Sequence, residues 1–161
     1  MTIKPIVAVL FAAAPLAACD SQPEPATPPA PKTATSVAQP SVARPPVDPQ
    51  LLARGEQLFK QNCASCHGDR AQGAPNWEKP GADGKYPAPP LDGSAHAWHH
   101  PRVALEKVIK QGTQKIGGNM PAWQGKLSDA DIDAVILYFQ SLWPDEIYAA
   151  WKDIDARQGH R

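Results

Sequence analysis

Five consecutive residues, Cys63-Ala64-Ser65-Cys66-His67, constrain this chain more than any other part of it. Two thiols separated by two residues at a helix end can add to the two vinyl groups of one porphyrin. The histidine that follows then places an imidazole nitrogen under the iron. The pattern C-x-x-C-H reads as c-type haem attachment, and a thioether is permanent, so the group cannot be lost outside the cell. Other uses of the motif fit less well. A structural zinc site needs four ligands, usually as two separated pairs, and the third cysteine, Cys19, stands alone far upstream. A redox dithiol belongs in a βαβ setting, and no strand pattern is present. A disulfide across so short a loop adds little. The expected cofactor is therefore one covalent haem c, held by Cys63 and Cys66, with His67 as an axial ligand of the haem iron.

A haem iron needs a sixth ligand or an open position. Apart from the initiator, the chain has one methionine, Met120, in the turn-rich run Gly117-Gly118-Asn119-Met120-Pro121. A lone methionine is usually core filler. Placement after Gly-Gly in a loop is poor for that purpose, and Pro121 stiffens the segment, so Met120 is the expected second axial ligand, the His/Met option. The competing donors are His96, His99 and His100 in one loop and His160 near the end. These are read as solvated histidines, the more usual setting for that residue.

Around the motif the periodicity is helical throughout. Asp48-Pro49 is a good start, an N-cap followed by proline in the first turn, and Leu51, Leu52, Gly55, Leu58 and Phe59 recur on one face through Asn62. Residues 68–98 are rich in Gly and Pro and read as loop. A helix is expected over about 101–111, ending at Gly112. The strongest runs from Ser128 to about Trp143, opened by the Ser128/Asp131 capping box and faced by Ile132, Val135, Ile136, Phe139 and Leu142. Pro144 interrupts it, and Ile147, Tyr148, Trp151 and Ile154 outline a last helix. The fold class is all-α.

Upstream the composition changes. Residues 1–18 read as a signal peptide: Lys4 precedes an uncharged apolar run, Ile6 to Ala14, too short to span a bilayer. Leu16-Ala17-Ala18-Cys19 is similar to the bacterial lipobox, which makes Cys19 the expected lipidation site. Two or three acyl chains anchor firmly where one does so marginally. Asp20 after it hints at retention on the inner membrane. Nine of the 19 prolines fall between Pro23 and Pro49. Residues 19–48 are thus a lipidated cysteine and a Pro/Ala-rich tether that buries too little to order itself, with a reach of up to about 90 Å as extended polyproline II. The remaining boundaries are 49–143 for the haem domain and 144–161 for a C-terminal helical extension. Lys plus Arg equals Asp plus Glu at 16 each, so no basic excess suggests nucleic acid.

With these residues in view, the domain resembles class I cytochromes c, the small single-haem electron carriers, over about residues 50–143. The resemblance rests on Gly55 and Phe59, Cys63-x-x-Cys66-His67-Gly68, Pro89-Pro90-Leu91, Met120-Pro121 and Tyr138-Phe139. It implies a small cytochrome c fold, helices packed around one covalent haem, here with an extra C-terminal helix. It further implies that Gly55 meets an aromatic, Tyr138 or Phe139, where the first and last helices cross. The His67 Nδ1–H is implied to be held by the carbonyl of Pro89 or Pro90, and Leu91, Ile109 and Trp123 to line the haem pocket, with Trp98 or Tyr86 near a propionate. Two departures stand out. Residues 74–86 exceed what a minimal member needs, and the helix after Pro144 lies beyond the usual end.

These expectations make the chain a one-electron carrier without catalytic residues of its own. Its partners would be redox proteins at the membrane and the bilayer through Cys19, on the periplasmic face of the inner membrane, with the outer membrane or cell surface as the alternative address. Two alternatives stay open: a haem enzyme or sensor with a displaceable Met120, and a fixed haem c subunit of a larger oxidoreductase. Lys107, Lys110, Lys115 and Lys126 flank the Met120 segment; a solvated face is the default for such a run.

Overall fold

Five helices carry the fold: α1 (Pro49–Asn62), α2 (Ala64–His67), α3 (Arg102–Gln111), α4 (Asp129–Ser141) and α5 (Asp145–Gln158). They are seen in a computed structural model that describes residues 44–158. The expected signal peptide, the expected lipidation site Cys19, the part of the expected tether up to residue 43, and His160 lie outside the described residues. Among the described residues there is no strand beyond two isolated bridges, Tyr86 with Gly118 and Gln124 with Leu127. The all-α expectation holds.

The α1–α4 crossing is the centre of the fold. The Asp48 carboxylate accepts from the Gln50 N–H at 2.8 Å and starts α1. Ser128 and Asp131 close a reciprocal capping box at the start of α4. Both helices then present their apolar faces to each other. Phe59, Ile132 and Ile136 are fully buried, and the Phe59 and Tyr138 rings pack with centroids 5.3 Å apart. Gly55 sets the separation: a Cβ there would overlap the Ala134 carbonyl and stand 3.0 Å from the Tyr138 Cβ. The small residue therefore meets the Ala134 backbone first and the aromatic second.

The C-terminal helix belongs to the core. Trp151 is buried, its ring 5.9 Å from that of Trp143. The indole of Trp151 donates to the His100 carbonyl at 3.0 Å, and that of Trp143 to the Leu91 carbonyl at 2.8 Å. The carboxylate of Asp155 accepts from the Arg102 N–H at 2.7 Å. It thus caps α3, whose own N-cap position is Pro101 and offers no side-chain acceptor. At the other end, Arg44 donates to the carbonyls of Gln140 (2.7 Å) and Trp143, pairs with Asp145, and lies 4.7 Å over the Tyr148 ring.

Candidate haem site

The attachment motif is the continuation of α1. Cys63 N–H still donates to the Phe59 carbonyl at 2.8 Å, and the His67 and Gly68 N–H groups donate to the Cys63 and Ala64 carbonyls at 2.9 and 2.8 Å. The extra helical turn turns His67 inward, 8% exposed, and leaves Cys66 at the surface with Cys63 half-buried. Both thiols are free. Burial, with a lesser contribution from Cys66, pushes the Cys63 thiol up to about 11, so it is protonated at neutral pH.

His67 is oriented by the loop that follows. Its Nδ1 lies 2.9 Å from the Pro89 carbonyl oxygen. A carbonyl can only accept, so Nδ1 carries the proton and Nε2 keeps its lone pair. Burial lowers the pKa of the ring, against a smaller rise from the Pro89 hydrogen bond, which holds the imidazole neutral and able to ligate. Of the two prolines the sequence left open, Pro89 supplies the acceptor and Pro90 is buried beside it. The loop is tied down close to the motif: Gly73 N–H donates to the His67 carbonyl and Leu91 N–H to the Ala71 carbonyl, each at 2.7 Å.

Met120 is half-buried and packs against the hydrophobic core, as do Cys63, Leu91 and Trp123; Ile109 is part of that core. The Met120 segment is pinned to the end of α3. Trp123 and Gln124 N–H groups donate to the Ile109 and Lys110 carbonyls at 3.1 Å each, which satisfies acceptors a helix end leaves open. Thr113 lies alongside Met120. No sequence signal singles it out beyond its place just after the Gly112 stop.

The 74–86 segment is a surface loop, yet it reaches the Met120 segment. Tyr86 bridges to Gly118, and the Asn119 amide donates to Asp83 at 3.2 Å. A cleft of about 460 Å³ runs between the two, with Trp77, Tyr86, Pro89, His96, Thr113 and Gly118 among its lining residues. Tyr86 therefore stands at that cleft, whereas Trp98 packs against the core. His96, His99 and His100 are all exposed. His96 is among the residues that line the cleft, as is Gly118 of the Met120 segment. Of the flanking lysines, Lys110 is paired with Asp129 at 3.0 Å and Lys126 lies 5.5 Å from the Trp123 ring centroid.

The donor set suits a haem c and little else. It comprises two adjacent unpaired thiols, a neutral imidazole with one nitrogen held and the other free, and a thioether bordering the same core. Among the described residues, no three His, Cys, Asp or Glu side chains group as a site for a bare metal ion.

Residues 50–139 match the protein family described as cytochrome C oxidase, cbb3-type, subunit III. Over 95 residues the chain is 36% identical to the cbb3-type cytochrome c oxidase subunit CcoP of Azospirillum sp. strain B510, covering 59% of this chain and 30% of that protein. It is 34% identical over 90 residues to subunit FixP of Bradyrhizobium diazoefficiens, covering 56% and 27%. With subunit CcoP of Rhodobacter capsulatus the identity is 33% over 104 residues, covering 60% and 31%. The chain thus spans about three tenths of the length of these relatives. No solved structure gives a significant match.

Proposed function

Because the chain belongs to the cbb3-type cytochrome c oxidase subunit III family, we propose that it is a haem c module that passes single electrons within a larger membrane-bound oxidoreductase. The relatives are named as oxidase subunits. That supports the fixed-subunit reading over the free shuttle suggested by the likeness to small carriers. Haem c, when bound, supplies a one-electron iron couple.

The chain's own residues do the rest. Cys63 and Cys66 would hold the group by thioether bonds, His67 and Met120 would supply the iron's protein ligands, and the Pro89 carbonyl holds the His67 imidazole in a fixed orientation. A thioether ligand and exclusion of water both raise the potential relative to nitrogenous ligation in an open site. Leu91, Ile109 and Trp123 line the apolar side. The observation that carries the reading is the 2.9 Å contact from the buried His67 ring to the Pro89 carbonyl, which leaves one nitrogen free beside two unpaired thiols.

The oxidised absorption spectrum of protein produced with a cytochrome c maturation system tests it. A weak sulfur-to-iron band in the far red is expected in the wild type and absent in Met120→Ala. A wild-type spectrum lacking that band would remove Met120 from the iron and bring forward an enzyme or sensor with an open site.

A further inference from the structure

Every polar group of Thr113 except its hydroxyl proton is engaged with the segment that carries Met120. Its N–H donates to the Met120 carbonyl at 3.0 Å, and its Oγ1 accepts from the Met120 N–H at 3.1 Å. Its carbonyl accepts from the Ile116 and Gly118 N–H groups, both at 2.9 Å, closing the short 3₁₀ turn Gln114–Ile116 that leads back toward Met120. One residue thus satisfies both backbone groups of Met120, one of them through its side chain. Gly118 makes room for this. A Cβ at that position would collide with the Thr113 Oγ1, and the nearest atoms are all Thr113's.

We propose that Thr113 is a positioning residue: through its Oγ1 it holds the Met120 backbone and so sets how firmly the Met120 sulfur stays on the iron. The inference rests on the ligation proposed above. An intramolecular ligand competes with added ligands according to how well its segment is pre-ordered. The Oγ1 contact is the only side-chain hydrogen bond, among the described residues, to the backbone of Met120. Removing that acceptor leaves a half-buried N–H unsatisfied, which disfavours this loop conformation specifically.

The test uses the mature holoprotein. Imidazole is titrated into the oxidised form while the far-red band is followed, and thermal unfolding is recorded in parallel. Thr113→Val, close in shape but without the acceptor, is expected to bind imidazole about tenfold more tightly than wild type, a difference of about 1.4 kcal/mol. Thr113→Ser, which keeps the acceptor, should stay within about twofold of wild type. Gly118→Ala retains the hydroxyl but displaces it, and should match Thr113→Val; it serves also if the valine variant does not fold.

Wild-type imidazole affinity in Thr113→Val or in Gly118→Ala would overturn the assignment. So would imidazole binding in Thr113→Ser tightened as much as in Thr113→Val, which would mean packing and not the acceptor matters. Absence of the band in the wild type is a separate failure, that of the Met120 reading itself.

Discussion

Burial treats the two thiols of one five-residue motif differently. Cys63 is half-buried with its thiol raised to about 11, whereas Cys66 is exposed. The thiolate is the nucleophile, so in the haem-free chain iodoacetamide at neutral pH should modify Cys66 well before Cys63. The Cys63 rate should climb only as the pH is raised toward 11. Peptide mass spectrometry reads both rates; equal reactivity would mean that the pocket does not form before the haem is attached. At this scale the sequence is eloquent about chemistry and silent about geometry. The spacing of Cys63, Cys66 and His67 announces the cofactor because three covalent or coordinate bonds must be met at once. Nothing in Pro89-Pro90 tells which carbonyl meets His67, since both have the same local character and only the loop's path decides. Thr113 is hidden for the same reason.

Helices are legible almost to their ends, because their caps and most of their faces are written locally; Leu142, expected on the inner face of α4, is instead its exposed C-cap. Asp48-Pro49 starts α1 and Ser128/Asp131 starts α4 where those residues predict. Pro144 separates α4 from α5 as its missing N–H requires. The stripe of Ile147, Tyr148, Trp151 and Ile154 marks a helix that packs, but periodicity does not say against what. The answer depends on distant partners, the His100 carbonyl for Trp151 and the Arg102 N–H for Asp155. Trp151→Ala should accordingly cost about 3–5 kcal/mol of stability, measured by denaturant unfolding, while the far-red band at neutral pH is retained. A loss below about 1 kcal/mol would show that α5 is an appendage. The 74–86 segment was equally unreadable in this respect: its length marked it as extra, but its contacts with Gly118 and Asn119 are long-range.

For the whole molecule, the proposed place in a membrane complex makes two separable demands. Cys19→Ala should move the protein from the membrane to the soluble fraction on cell fractionation, with its haem spectrum unchanged, if the lipid is the anchor. Extraction of the wild type in mild detergent should bring oxidase subunits with it, whereas a protein recovered alone would restore the tethered-shuttle reading. The Arg44 contacts bear on how such an attached head is loaded. Any pull arriving along the backbone from upstream meets Arg44 before it meets Pro49, and Arg44 is fastened to the carbonyl end of α4 and to Asp145 and Tyr148. Under such a pull it would act as strain relief does on a cable, passing tension to the α4–α5 corner and sparing α1, the rod whose far end leads into Cys63 and Cys66.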